Sequence, residues 1–238
     1  VSYVKKFLAV LLLFLSLGIF AQAQQETPQI VAKVNGEEIS KSQLDRLTNI
    51  TGVILTLYRQ YPRFAQMLLT TDEGKAFLRA YEREILESLI SWRLIIQEAR
   101  KRGLTVSEET LQAELEKTIQ GILEKNDLTE DELAEILLTQ RGQTLEEFRA
   151  QIQSDLEERL LYDLLKEAVT AEVSVSEEEI KAYYEQNLDS FKDEEGNTLP
   201  LDEVAGKILV AVTQEKRDTL WKDFLKKLRE EAEVEIYI

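Results

Sequence analysis

Covalent or acid–base catalysis needs a nucleophile with a base beside it, or a metal cage. The 238 residues contain neither histidine nor cysteine. Ser-His-Asp and Cys-His catalysis, disulfides and most zinc sites are therefore unavailable. No two of the nine glycines stand at G-x-G spacing, and G-x-x-x-x-G-K-[ST] does not occur. Both common phosphate cradles are missing. Asp193-Glu-Glu-Gly196 faintly resembles a calcium loop but fails the D-x-[DN]-x-[DN]-G pattern. Among 45 acidic residues, paired carboxylates arise by chance and are read as solvated helix faces. The sequence thus assigns no catalytic residue, no cofactor-binding residue and no metal ligand. The net charge of −16 opposes nucleic-acid binding and suits solubility.

What remains is binding by apolar burial. Ile50, Val53, Ile54, Leu57, Tyr58 and Tyr61 cover well over half the circumference of one helix. A helix facing a single core needs an apolar stripe of about 100°. After Pro62 come Phe64, Met67, Leu68 and Leu69. Aromatic side chains and an adaptable methionine suit loose recognition of varied partners. Tyr58, Tyr61, Phe64, Met67 and Leu68 are the candidate contact residues. The alternative is burial of the same segment on two sides. Trp92, Trp221 and Phe224 read as core, and Tyr183 and Tyr184 as packing residues.

These residues need elements to hold them. Ile30–Val34 and the last six residues, Glu233–Ile238, are the two segments that alternate like strands. A lone strand leaves its own N–H and C=O groups unpaired, so the two ends of the chain are expected to pair. The chain between them reads as helix. Ser40, after an Asn35-Gly36 turn, opens a helix to Tyr61, and Pro62 forces a break there. Thr71 or Asp72 caps a long helix ending near Arg102, where Gly103 supplies a left-handed residue. Ser107 starts the next. Thr129-x-x-Glu132, Thr144-x-x-Glu147 and Ser176-x-x-Glu179 are capping boxes. The last helix runs from near Pro200-Leu-Asp202 to about Ala232. The expected fold class is mainly α, a multi-helix domain closed by a small β pairing of the N-terminal and C-terminal strands.

Residues 1–23 read as a signal peptide. Lys5 and Lys6 precede the uncharged apolar run Phe7–Phe20, and Ala21-Gln22-Ala23 fits a cleavage site. An uncleaved anchor is the competing reading, but a span needs roughly 20 apolar residues. No cysteine comes after the run, so lipidation is excluded. The expected product is exported, cleaved near Ala23, with no stable membrane insertion.

Val31-Ala-Lys-Val-Asn-Gly-Glu-Glu-Ile-Ser40 resembles the opening of the SurA-like periplasmic chaperones, a family that also includes the PpiD and PrsA foldases. Ile85–Ala99 with Gly103–Glu109 resembles the next helix pair. Val175–Asn187, with Phe191, resembles the helix leading into the isomerase domain, and Leu201–Val234 the returning helix and final strand. The resemblance implies a signal peptide and one chaperone domain over 24–238. Its N-terminal part is 29–191, its linker 192–199, and its returning helix and strand 200–238. In SurA, PpiD and PrsA a parvulin-type prolyl isomerase domain interrupts the chain at that linker. Here Lys192 to Pro200 is nine residues, room for a turn. Parvulin sites also use histidines. The implied function is an ATP-independent extracytoplasmic chaperone, without cofactor, that holds unfolded or partly folded exported polypeptides through apolar surface. The alternative is a non-catalytic adaptor for one defined envelope partner. A peptidyl-prolyl isomerase is the reading the sequence opposes.

Overall fold

A computed structural model describes residues 29–238. The expected signal peptide lies outside the described residues. Within them the protein is mainly helical, with one small antiparallel sheet. Two strands come first, β1 (Ile30–Val34) and β2 (Glu37–Ser40). Helices α1 (Lys41–Thr48), α2 (Ile50–Gln60), α3 (Pro62–Thr70) and α4 (Asp72–Lys101) come next. Then come α5 (Glu108–Asn126), α6 (Glu130–Arg141), α7 (Leu145–Thr170), α8 (Glu177–Gln186) and α9 (Leu201–Glu231). The chain returns as β3 (Val234–Ile236).

The sheet order is β2-β1-β3, so the two ends do pair. Ala32 faces Ile236 and Val34 faces Val234 in the antiparallel register. Asn35 ties this junction together. Its N–H donates to the Glu233 carbonyl at 2.8 Å, and its side-chain oxygen accepts from the Glu233 N–H at 2.9 Å. Its side-chain amide donates to Gln97 on α4, which in turn donates to the Val34 carbonyl at 3.0 Å.

Two sequence expectations need correction. β1 has a second partner, because Asn35 (φ 48°) and Gly36 (φ 85°) form a two-residue hairpin turn into β2. Both residues at positive φ give the primed turn whose twist suits a hairpin. The helix expected from Ser40 to Tyr61 is also two helices. Asn49, at φ 45°, ends α1 and begins α2. Asparagine tolerates the left-handed region, so neither proline nor glycine marks the break.

The chain forms two compact units. One runs to Tyr162 and takes in Ala232–Ile238; the other is Asp163–Glu231. In the first, α4 packs on β1 and α1. Leu86, Ile90 and Leu94 of α4 are buried at four-residue spacing, and Val31 and Val34 of β1 are buried too. Leu111, Leu115, Ile119 and Leu123 form the buried stripe of α5, joined by Leu133, Leu137, Phe148 and Leu156. In the second unit α8 packs on α9, and Val204, Ile208 and Val212 are buried with Tyr183, Tyr184 and Phe191 against them. Trp221 is buried, and Phe224 is half-buried and stacked on it at 5.4 Å. The Tyr184 hydroxyl donates to the Leu199 carbonyl at 2.7 Å.

The expected caps form at Thr71, Ser107, Thr129, Thr144 and Ser176. Ser40 and Gln43 make a further capping box on α1. Lys192 bridges to Thr198 across a tight turn. Within it, Asp193 accepts from the N–H groups of Glu195 (3.0 Å) and Asn197 (2.7 Å). The faint resemblance to a calcium loop is thus a turn whose carboxylate satisfies backbone. The Asn197 side chain, first, and these N–H groups hold that carboxyl below its ordinary range.

Candidate apolar binding site on α2 and α3

α2 and α3 present a helix–proline–helix hairpin. Tyr61, at φ −137° and ψ 66°, leaves the helical region, and Pro62 occupies the first position of α3. Proline lacks the N–H that would be orphaned there, and its fixed φ suits a new helix. The Ala65 N–H closes the first turn of α3 on the Tyr61 carbonyl at 3.1 Å.

The far end of α3 is fixed as firmly. The Thr71 hydroxyl donates to the Met67 carbonyl at 2.8 Å, and its oxygen accepts from the Gly74 N–H at 3.1 Å. A Cβ at Gly74 would lie 2.5 Å from the Leu68 Cα and 2.5 Å from the Met67 carbonyl oxygen. Only glycine lets α4 start this close to α3. α3 packs on α2 on one side and on α4 on the other.

On α2, Ile50, Ile54 and Leu57 share one face and are half-buried, and no residue of the helix is fully buried. On α3 only Ala65 is buried. Of the five candidate residues, four stand in solvent: Tyr58 at 55%, Tyr61 at 61%, Phe64 at 52% and Met67 at 59%. Leu68 is half-buried, next to the tight α3–α4 junction. The surface reaches further than the sequence candidates. Val53, Leu55 and Leu69 are exposed beside them, and so is Phe77 on α4 at 62%. Phe77 carried a weak signal: of its neighbours one turn away, Glu73, Gly74, Ala80 and Tyr81, only Tyr81 is large and apolar. Exposed apolar patches of this kind mark contact sites more often than inert surface.

A concave feature lies elsewhere in the same unit. A cavity of about 800 Å³ is lined by Ile39, Leu47, Leu89, Trp92, Asp155 and Glu158, among others. Trp92, expected in the core, is half-buried at its wall. It stacks on Tyr162 at 5.5 Å and donates its ring N–H to Glu158 at 2.6 Å. An indole keeps a polar edge that must find a partner, which places it at a wall more readily than in a dry core. Burial, with Glu158 second and Arg46 opposing, raises the Asp155 carboxyl above its ordinary range. Among the described residues no cluster of three or more metal-ligating side chains forms, and no helix is long and apolar enough to cross a membrane.

Several known proteins resemble this chain. A foldase protein PrsA of Clostridium kluyveri is 25% identical over 175 residues, covering 71% of this chain and 50% of its own. A foldase protein PrsA of Clostridium botulinum is 26% identical over 212 residues, covering 85% of this chain and 60% of its own. The chain thus spans about half the length of the curated relatives it matches. A solved structure of one of two related SurA-like chaperones of Campylobacter jejuni covers 87% of this chain and 98% of its own, at 17% identity and a TM-score of 0.48. The model of the SurA-like N-terminal domain matches residues 2–162, more than half of the sequence. The chain therefore belongs to the SurA-like N-terminal domain family.

Proposed function

We propose that this chain is an ATP-independent chaperone that holds unfolded or partly folded exported polypeptides. It acts outside the cytoplasm, after leader removal near Ala23. Membership of a family whose relatives are named foldases supports the chaperone class. The observation that carries the mechanism is the exposure of Tyr58, Tyr61, Phe64 and Met67 on two helices that bury almost nothing. Client segments would bind by burying apolar and aromatic side chains there, with Leu68 at the edge. Binding of this kind shifts the client's equilibrium by mass action and needs no nucleotide. The absence of both phosphate cradles supports that reading. The acidic remainder of the protein keeps the complex in solution.

The test is aggregation suppression by wild-type protein over a panel of unrelated unfolded proteins, without nucleotide. The companion is the double substitution Tyr61→Ser with Phe64→Ser. Each lost large apolar contact is worth roughly 1.5–3 kcal/mol, so client affinity should fall by about a decade or more. The melting temperature should hardly move, since both side chains stand in solvent. Suppression of no client would overturn the proposal, and activity on a single partner would make the protein an adaptor.

The chain is also proposed to lack prolyl isomerase activity. Nine residues fill the Lys192–Pro200 segment, and no histidine is present. Proline-limited refolding should proceed at the uncatalysed rate. Acceleration proportional to added protein would contradict this.

A further inference from the structure

The apolar hairpin is also an electrostatic exception. The protein carries 45 acidic residues against 29 basic ones. Yet from Ile50 to Thr71 the only charged residues are Arg59 and Arg63. The next cations, Lys75, Arg79 and Arg83, lie along the first half of α4, around Phe77. All five are exposed, and none has a carboxylate partner among the described residues. Three of the nearby acids are engaged otherwise. Asp72 and Glu73 sit in the first turn of α4, where the helix dipole favours negative charge. Glu82 pairs with Lys41 at 3.5 Å. Elsewhere many cations are paired within the fold, although a few, such as Lys125 and Lys207, are also exposed without an ion pair among the described residues. Arg149 bonds both Glu116 and Glu130, Lys216 holds Glu179 at 2.7 Å, and Lys166 reaches Asp218 at 3.2 Å.

We infer that the α2–α3 surface selects client segments in which carboxylates flank apolar or aromatic side chains. The inference rests on the client-binding reading above and adds the charge of the client. A purely apolar segment lying over Tyr58, Tyr61, Phe64 and Met67 would strip water from Arg59 and Arg63 and give nothing back. A carboxylate beside the apolar side chain supplies the missing partner. Arginine suits this role: its planar guanidinium is weakly hydrated, stacks on aromatic rings and pairs with carboxylates through two N–H groups. A lysine or arginine at the same client position would face like charge. An anionic lipid surface offers similar headgroup chemistry. The net charge of −16 would, however, repel the rest of the protein from such a membrane. The polypeptide is therefore the occupant the charge distribution favours.

The experiment uses three labelled synthetic peptides, identical in their Phe and Leu positions and differing only in carrying Glu, Gln or Lys between them. Affinities are measured for the full chain, for Arg59→Gln with Arg63→Gln, and for Tyr61→Ser with Phe64→Ser. The acidic field of the whole protein draws the Lys peptide everywhere on its surface. The readout is therefore the ratio of wild type to variant for each peptide, which cancels that background. Removing the two arginines should weaken the Glu peptide about three- to ten-fold. The Gln peptide should be unchanged, and the Lys peptide unchanged or tighter. The Glu effect should shrink towards nothing in about 0.5 M sodium chloride. Removing Tyr61 and Phe64 should weaken all three peptides. Equal ratios for the three peptides in the arginine variant overturn the inference while leaving the client surface in place. Binding of none of the peptides overturns both. Arginine-dependent binding to phosphatidylglycerol vesicles, with the peptides not discriminated, overturns it in favour of a lipid surface.

Discussion

α2 and α5 are both amphipathic helices of one unit, but they use their apolar residues in opposite ways. α5 places Leu111, Leu115, Ile119 and Leu123 four apart, and all four are buried with α6 and α7 residues around them. α2 carries Ile50, Val53, Ile54, Leu55, Leu57 and Tyr58, and none is fully buried. Apolar content does not decide burial; spacing does. Four residues on one line meet one neighbour, whereas residues spread around the helix exceed what one neighbour can cover. Charge shows the same division. The α5–α7 bundle is stitched by Arg149 to Glu116 and Glu130, while the α2–α3 cations have no such partners among the described residues.

The contrast breaks most visibly if a bundle residue and a hairpin residue respond alike. Leu137 is fully buried. Leu137→Ala should cost about 2–5 kcal/mol in urea unfolding, because the cavity cannot fully collapse. Met67→Ala should stay within about 0.5 kcal/mol. Comparable losses would mean that the α2–α3 surface is covered in solution. The sheet comes next. Ending the chain before Glu233 removes β3, its ladder to β1 and both Asn35 bonds to Glu233. Each backbone bond is worth about 1 kcal/mol net, so a loss of about 2–4 kcal/mol is expected. An unchanged melting temperature would show that β2 alone suffices for β1.

The parts legible from the sequence are those fixed by short-range chemistry. Ser107, Thr129, Thr144 and Ser176 announce helix starts because the capping side chain and its N–H lie three residues apart. The pairing of β1 with β3 is legible because a lone strand leaves its N–H and C=O groups unpaired. β2 was hidden because Glu37-Glu-Ile-Ser40 has one apolar residue and becomes a strand only through its pairing with β1. The Asn35-Gly36 turn was visible, but a turn makes a hairpin only when the residues after it pair back. The break at Asn49 left no proline or glycine to see. At the binding surface, apolar breadth marked Tyr58, Tyr61, Phe64 and Met67. Phe77 is not legible because the buried face of α4 lies further along, from Leu86 to Ala99, and exposure on the stretch before it is set by packing, not by local sequence.

Gly74 tests whether the exposed hairpin is held rigidly or merely tethered. A Cβ there meets backbone atoms of Leu68 and Met67 at 2.5 Å, and backbone cannot rotate aside. Gly74→Ala should cost about 1–3 kcal/mol through displacement of α3 from α4. It should also weaken client binding although no client-facing side chain changes. A variant with lower stability and intact client affinity would show that the hairpin's mounting does not shape the surface.

The smallest expected effect concerns pH and separates the two regions by their carboxylates. Asp155 of α7 has its pKa raised, first by burial and then by Glu158, with Arg46 pulling the other way. A folded-state pKa above the unfolded one means that the folded protein holds this proton more tightly. Ionised Asp155 therefore opposes folding at neutral pH, and that penalty fades as pH falls through its folded pKa. Asp155→Asn should raise stability slightly at pH 7, by less than about 0.5 kcal/mol given its access to solvent. The gain should vanish near pH 4, where the unfolded carboxyl also takes up its proton. Urea midpoints of both proteins at the two pH values decide it. A loss of stability at pH 7 would show that the attraction of Arg46 outweighs burial. α2 and α3 contain no carboxylate at all, so affinity for the Gln peptide should stay flat between those pH values as long as the protein remains folded. Stability that moves with pH in the bundle, beside binding that does not move on the hairpin, is the sharpest form of the difference between them.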